Sequence, residues 1–351
     1  MKYGLLIYHN SGNLGDEIQS IAARRFLPRV DVTIDRDRLN EFKSPHGEPV
    51  SLITNCWFGH RPENWPPSSD IAPLLISMHI SSKPGLGTAK IPAAKFVLHK
   101  ELVSYLRSWG HVGARDLHTL KLLEDSGVPS YFSGCVTLTL QRSADIKRRE
   151  LVIVNDLPDS VVAHVRKHSR YPVLLTSHAD WHTTDSELRF AKAQALLNHY
   201  QSALCVITSR LHCALPCLAF GTPVFVVDTL KDQTRYSGLN SFYRHCRVDE
   251  FLSGKPGIDV NHPEPNSDEF LSFRSSLEQR VSDFIKVGKN ASPDIQREES
   301  WHAKARMQTL LALHAEQAQR LAQAELKLKQ QRIRTTMTAA IRRLSGLKWH
   351  A

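Results

Sequence analysis

Two short stretches of the 351-residue chain concentrate side chains that bind anions and move protons. In SGNLGDEIQS, residues 11–20, Gly12 and Gly15 let the backbone approach a ligand, and the following helical pattern offers free N–H groups at its start. Asn13, Asp16 and Gln19 add polar side chains there. In VITSRLHCALPC, a buried-strand pattern delivers Ser209, Arg210, Leu211 and His212 to its carboxyl end, where a helix begins. A guanidinium, an imidazole, a hydroxyl and the positive end of a helix at one point suit a phosphate or carboxylate combined with proton transfer. Arg115 and Asp116 open a further helix in GARDLHTLKLL, and His79 ends an apolar run in ISMHISSK. Each has a plainer alternative: Asp16 as a helix N-cap, Arg210 paired to an interior carboxylate, Arg115 paired to Asp116, His79 as a hydrogen-bonded core residue. No His, Cys and carboxylate cluster has metal-ligand spacing, so the pattern calls for no metal.

These residues need rigid elements behind them. Residues 3–9, YGLLIYH, form a continuous apolar run suited to a strand buried on both faces, followed at once by a loop and a helix. Strand runs follow at 50–55, 73–80 and 95–99, and a helix over 117–127 ends in Gly127. After the polar stretch SADIKRRE the pattern restarts, with strands at 151–156, 171–177, 203–209 and 222–228, and helices from about 187 to 200, 211 to 220 and 268 to 286. Strands alternating with helices predict parallel sheets covered on both faces. The expected architecture is α/β: two Rossmann-like domains facing a cleft, residues 1–145 and 146–290, and a basic helical tail over 291–351.

A composition of 41% hydrophobic and 23% charged residues excludes a disordered or collagen-like chain. The apolar run at the N-terminus is too short for a signal-peptide core or a membrane span, so a cytoplasmic location is expected. The six cysteines form no CxxC pair and read as reduced, buried thiols, Cys213 and Cys217 as helix-core packing. Of the formal net charge of +10, residues 326–351 carry seven basic side chains and no acidic one. That tail also holds Ile333, Met337, Ile341, Leu344, Leu347 and Trp349, a composition expected to rest peripherally on the anionic inner face of a membrane. A single Trp within 326–351 and no stacking series speak against a nucleic-acid platform.

Taken together, the chain resembles the polysaccharide pyruvyl transferase family. The resemblance is carried by Asn13, Gly15, Asp16 and Gln19, by Arg115 and Asp116 before a leucine-rich helix and Gly127-Val128, by Gly134-Cys135, and by SRLHCALPCLAFGTP. It covers roughly residues 3–285. It implies a fold similar to GT-B glycosyltransferases and transfer of pyruvate from phosphoenolpyruvate, as donor substrate, onto a sugar or glycan as a ketal, in exopolysaccharide or cell-surface glycan synthesis, without a cofactor. The acceptor would be a free or lipid-linked glycan. On this reading His212 delivers the proton, Arg210 and Arg115 clamp phosphate and carboxylate, Asp16 acts as base or orients a hydroxyl, and Leu211 walls the pocket. Asn13, Gly15, Gln19, Ser209 and His79 complete the substrate contacts. The chain departs from the family at SMHISSKPGLG, where a histidine and serines precede the glycines. The alternative is a GT-B-type glycosyltransferase with a nucleotide-sugar donor, Asp228 holding the ribose.

Overall fold

The computed structural model describes residues 1–9, 11–45, 47–58, 61–83, 91–229, 234–287 and 299–345, with the backbone alone for 62, 299 and 339–345. The glycines of KPGLG, the 290/291 boundary and the tail residues Leu347, Lys348 and Trp349 lie outside the described residues, as do the side chains of Ile341, Arg342, Arg343 and Leu344.

The chain begins with β1 (Lys2–Ile7), α1 (Gly15–Arg24), β2 (Val32–Asp35), β3 (Val50–Ile53), β4 (Trp57–Phe58), β5 (Ile71–Leu74) and β6 (His79–Ile80). Then come α2 (Ala93–Val97), α3 (Val103–Ser108), β7 (Val112–Ala114), α4 (Leu117–Asp125) and β8 (Ser130–Phe132). The second half runs β9 (Val152–Asn155), α5 (Asp159–His168), β10 (Val173–Thr176), α6 (Ser186–Ser202), β11 (Cys205–Thr208), α7 (Leu211–Phe220), β12 (Val224–Asp228), β13 (Arg244–Arg247), α8 (Val248–Leu252), α9 (Leu271–Val287) and α10 (Glu299–Ser345). Two parallel sheets result, of order β2-β1-β3-β5 and β10-β9-β11-β12-β13, with short two-stranded pairs β4-β6 and β7-β8. The fold is therefore α/β with parallel sheets, as the alternating pattern requires.

The continuous apolar strands sit where burial on both faces is needed: all four residues of β3, β9 and β11 are buried. Helix α7 is apolar all round and wholly enclosed apart from Ala219, which accounts for Cys213 and Cys217 being fully buried in its core contacts. Gly221 closes it in the left-handed conformation at φ 63°, a residue-specific C-cap. Helix α1 packs against α6, α7 and the turn at Val136–Thr139, so one hydrophobic core takes residues from both halves, Ile18 and Leu14 as well as Tyr200, Leu211 and Leu215.

Three expectations differ. The run at 95–99 is not a strand: its first three residues belong to α2, because Ala93, Phe96 and Val97 are buried at helical spacing, and Leu98 and His99 turn out of the helix, a choice a short apolar run leaves open. The run at 73–80 breaks into β5, which ends at Leu74, and β6, with Ser77 between them at a φ of 54°. Strands β2 and β13 carry polar or exposed positions on sheet edges and have no apolar run to announce them.

Candidate functional site

A cleft of about 210 Å³ opens at the carboxyl ends of strands from both sheets. Its walls come from the loop after β1 (Ser11, Gly12, Asn13) with Asp16 and Gln19 of α1, the loop after β10 (His178, Trp181), and the start of α7 (Arg210, Leu211, His212). Arg115, Trp57 and Arg235 complete it. The loops after β1 and β10 are bonded together: Leu14 N donates to His178 O at 2.8 Å and Asp180 N to Gly12 O at 2.9 Å. A buried, bidentate ion pair between Arg189 of α6 and Glu17 of α1, at 2.6 and 2.9 Å, fixes the same junction.

Gly15 is there for space. A Cβ at this position would sit 3.1 Å from His212 Nδ1, 3.2 Å from His178 Nδ1 and 3.1 Å from Asn13 Oδ1. Two imidazoles thus approach the first residue of α1 from the other half of the chain, and Asn13 Oδ1 accepts from Gly15 N at 3.2 Å. Asp16 is not an N-cap: Leu14 holds that position, without a side-chain bond. The Asp16 carboxylate instead accepts from Ser11 Oγ at 2.5 Å and Gln19 Nε2 at 3.2 Å, with the buried Arg36 at 3.7 Å.

Arg210 does pair with an interior carboxylate, Nε to Asp156 Oδ2 at 2.8 Å, yet its side chain stays 37% exposed to the cleft. Asp156 adopts φ 50°, in the left-handed region that Asp tolerates better than most side chains. That backbone turn lets it also accept from Ser177 Oγ at 2.6 Å and His178 N at 2.9 Å. Burial works against its charge, but these donors and Arg210 hold its carboxyl below the usual range. Ser209 Oγ donates to Asp156 O at 2.7 Å, so Ser209 braces this hub and does not line the cleft.

Arg115 is buried and lies 3.6 Å from Asp116, too far for a hydrogen bond, and its Nε has no hydrogen-bond partner. Gln19 Oε1 is likewise buried without one. Both residues line the cleft, so each carries a polar atom unsatisfied by the protein itself. Asp116 caps α4, accepting from Thr119 N at 2.9 Å, and takes the Nδ1–H of His79 at 2.6 Å. His79 therefore lies behind the cleft rather than in its wall, and burial followed by Arg115 pushes its imidazole down to about 4, against the pull of Asp116.

His212 is enclosed, with Nε2 3.9 Å from Cys135 Sγ. Burial first, then the charges of Arg115, His178 and Arg235, push its imidazole well below the ordinary value. His178, bonded through Nε2 to Tyr200 OH at 2.9 Å, is lowered to about 4, chiefly by burial. Two neutral imidazoles consequently face a cleft holding three arginines.

Of the ten residues singled out from sequence, seven line this cleft: Asn13, Asp16, Gln19, Arg115, Arg210, Leu211 and His212. Gly15 shapes it, and Ser209 and His79 support it from behind. Asp228, the ribose-binding candidate of the alternative reading, is bonded to His245 at 2.9 Å and is absent from the lining. Sequence reasoning missed Trp57, Asp156, His178, Trp181 and Arg235. His178 and Trp181 follow a recognised strand, so the rule that found Arg210 also reaches them. Among the described residues no cluster of His, Cys, Asp and Glu could hold a metal ion.

The arrangement can be set beside known proteins. No curated protein matches the chain. Among solved structures, a functionally uncharacterised protein from Klebsiella pneumoniae is 14% identical, covering 70% of this chain and 92% of its own, at a TM-score of 0.38. The UDP-GlcNAc 2-epimerase of Methanocaldococcus jannaschii is 10% identical, covering 82% and 99%, at 0.43. The family model of the polysaccharide pyruvyl transferases matches residues 93–231, the segment that supplies Arg115, Asp116, Arg210, Leu211 and His212, and the resemblance read from those residues holds there.

Proposed function

We propose that the protein is a phosphoenolpyruvate-dependent pyruvyl transferase acting on a sugar or glycan acceptor, lipid-linked forms included. The observation that carries this reading is the convergence of Arg115, Arg210 and Arg235 with two neutral histidines on one small cleft. Phosphoenolpyruvate brings a carboxylate and a phosphate, which guanidinium groups recognise in bidentate fashion.

In the proposed mechanism, Arg210 and Arg115 orient the two anionic groups. The His212 imidazole delivers a proton to the methylene carbon, the carbon–carbon double bond supplies the electron pair, and an oxocarbenium-like centre forms at the adjacent carbon. One sugar hydroxyl attacks that carbon and loses its proton, with Asp16 or His178 placed to accept it. The carbon–oxygen bond to phosphate then breaks, and a second hydroxyl attacks and loses its proton to close the ketal, so that one phosphate leaves per pyruvate transferred. Electrostatics make the donor part of its own activation. The charges of Arg115 and Arg235 contribute to keeping His212 neutral in the free protein, and a bound anion offsets them, lifting the imidazole toward the range where it can carry a proton.

The reading extends to two Rossmann-like domains, 1–145 and 146–290, facing across this cleft in the GT-B manner, supported by lining residues from both sheets. It requires no cofactor, and its donor implies a cytoplasmic site of action. The test is incubation with phosphoenolpyruvate and a panel of glycan acceptors, reading phosphate release in wild type, His212→Ala and Arg210→Ala. Thermal stabilisation by phosphoenolpyruvate and not by UDP-, GDP- or CMP-sugars supports the proposal; the reverse pattern, or undiminished turnover in both variants, rejects it.

A further inference from the structure

Helix α10 has two different halves. At 47 residues it is about 70 Å long at 1.5 Å per residue. Its beginning docks on the core of the N-terminal half through Ala305, Thr309 and Leu313, and Arg306 donates to the carbonyls of Trp65 and Pro66, both at 3.3 Å. From residue 317 to 338 every residue is exposed. That free stretch is not uniformly polar. Leu326, Ile333 and Met337 are 57%, 59% and 60% exposed, and their spacing of seven and four puts them on one line of the helix. Arg320, Lys327 and Arg334, also seven apart, run along one side of that line, and Lys329 and Arg332 lie toward the other. Glu325 is the one acidic residue between 317 and 338.

We infer that this projecting half of α10 is a docking surface for an anionic lipid bilayer, lying in the headgroup plane with Leu326, Ile333 and Met337 inserted. The charge arrangement selects this occupant over a second copy of the chain. If Leu326, Ile333 and Met337 formed a coiled-coil seam, Gln330 would fall within it, and Lys329 of one copy would face Arg334 of the other. Like charges along both flanks repel a copy and attract a negatively charged plane. No helix among the described residues is long and apolar enough to cross a membrane, so the contact is peripheral.

The full-length protein is mixed with vesicles of phosphatidylcholine containing 30 mol% phosphatidylglycerol, or of phosphatidylcholine alone, at about 0.15 M salt, and co-sedimentation is measured. Selective binding to the anionic vesicles is expected. Loss of three basic groups at about fivefold each, with three added negative charges repelled by the same surface, makes Lys327→Glu/Lys329→Glu/Arg334→Glu at least about 100-fold weaker. Ile333→Asp should also weaken binding, whereas Leu321→Ser, on the other side of the helix, should not. All of these positions are exposed, and an unchanged circular dichroism melt verifies that the body is intact. The proposal is overturned by absent vesicle binding, by equal binding to neutral vesicles, by indifference to the charge reversal, by tighter binding to duplex DNA than to vesicles, or by a dimer in sedimentation velocity that Ile333→Asp dissociates.

Discussion

Gly15→Ala separates the shape of the cleft from the stability of the fold. The added methyl group would stand 3.1 Å from His212 Nδ1, 3.2 Å from His178 Nδ1 and 3.1 Å from Asn13 Oδ1, so each neighbour must retreat by a few tenths of an ångström. Gly15 is the first residue of α1, where alanine is favoured over glycine by up to about 1 kcal/mol, and that gain offsets crowding of similar size. Stability should change by less than ~1 kcal/mol. Catalysis has no such compensation: misplacement by 1 Å can cost about 100-fold, so a shift of a few tenths should cost roughly three- to fivefold in phosphate release from phosphoenolpyruvate. Nitrogen-15 imidazole spectra should show the His178 and His212 resonances moving together while His79 stays fixed. Wild-type turnover with unmoved His178 and His212 resonances would refute the close approach on which the argument depends.

Arg210→Ala removes a charged contact worth about 1.5–3 kcal/mol to an anion, so the dissociation constant for phosphoenolpyruvate in a thermal-shift titration should rise by roughly 10- to 150-fold. The imidazole of His212 should titrate at a higher pH once phosphoenolpyruvate is added, seen by NMR, and an unmoved midpoint would count against donor-assisted protonation. His79 and His178 are lowered from an ordinary 6.5 to about 4 in the folded state, so unfolding takes up protons. Their contribution to stability is complete above pH 6.5 and is lost as the pH falls from 6.5 to 4, by about 3 kcal/mol per histidine; a urea midpoint that stays flat across that window contradicts their burial as neutral groups. Glu17→Ala leaves the buried Arg189 without its counter-charge and should cost about 3–5 kcal/mol in urea unfolding. Trp181, 76% exposed, should tolerate Ala within about 0.5 kcal/mol, and a change confined to the acceptor KM would mark it as a sugar-facing wall.

The sequence made the central strands and α7 legible because both are apolar throughout and bounded by Gly, Pro or polar residues, as in GTP after Phe220. The placement of Arg210 and His212 followed from a rule about strand ends, which needs no tertiary knowledge. Asp156 escaped because its role depends on a left-handed backbone and on donors from Ser177, His178 and Arg210, three partners no spacing reveals. His79 was found for the right reason and assigned to the wrong side of the wall: only the position of Asp116 at the cap of α4 decides which way that imidazole turns. The paired neutral histidines were illegible, since His178 comes to Gly15 from the loop after β10 and His212 from the first turn of α7.

The core shared by α1, α6 and α7 imposes an order in time. Helix α1 leaves the ribosome early, but its partners α6 and α7 are complete only after some ~200 further residues, about 10–40 s at ordinary elongation rates. During that interval α1 has β1 and the turn at Val136–Thr139 as partners but not α6 or α7, and Glu17 waits for Arg189. A chain truncated before α7 keeps that part of the α1 surface exposed, and it is expected to aggregate more readily than the finished molecule.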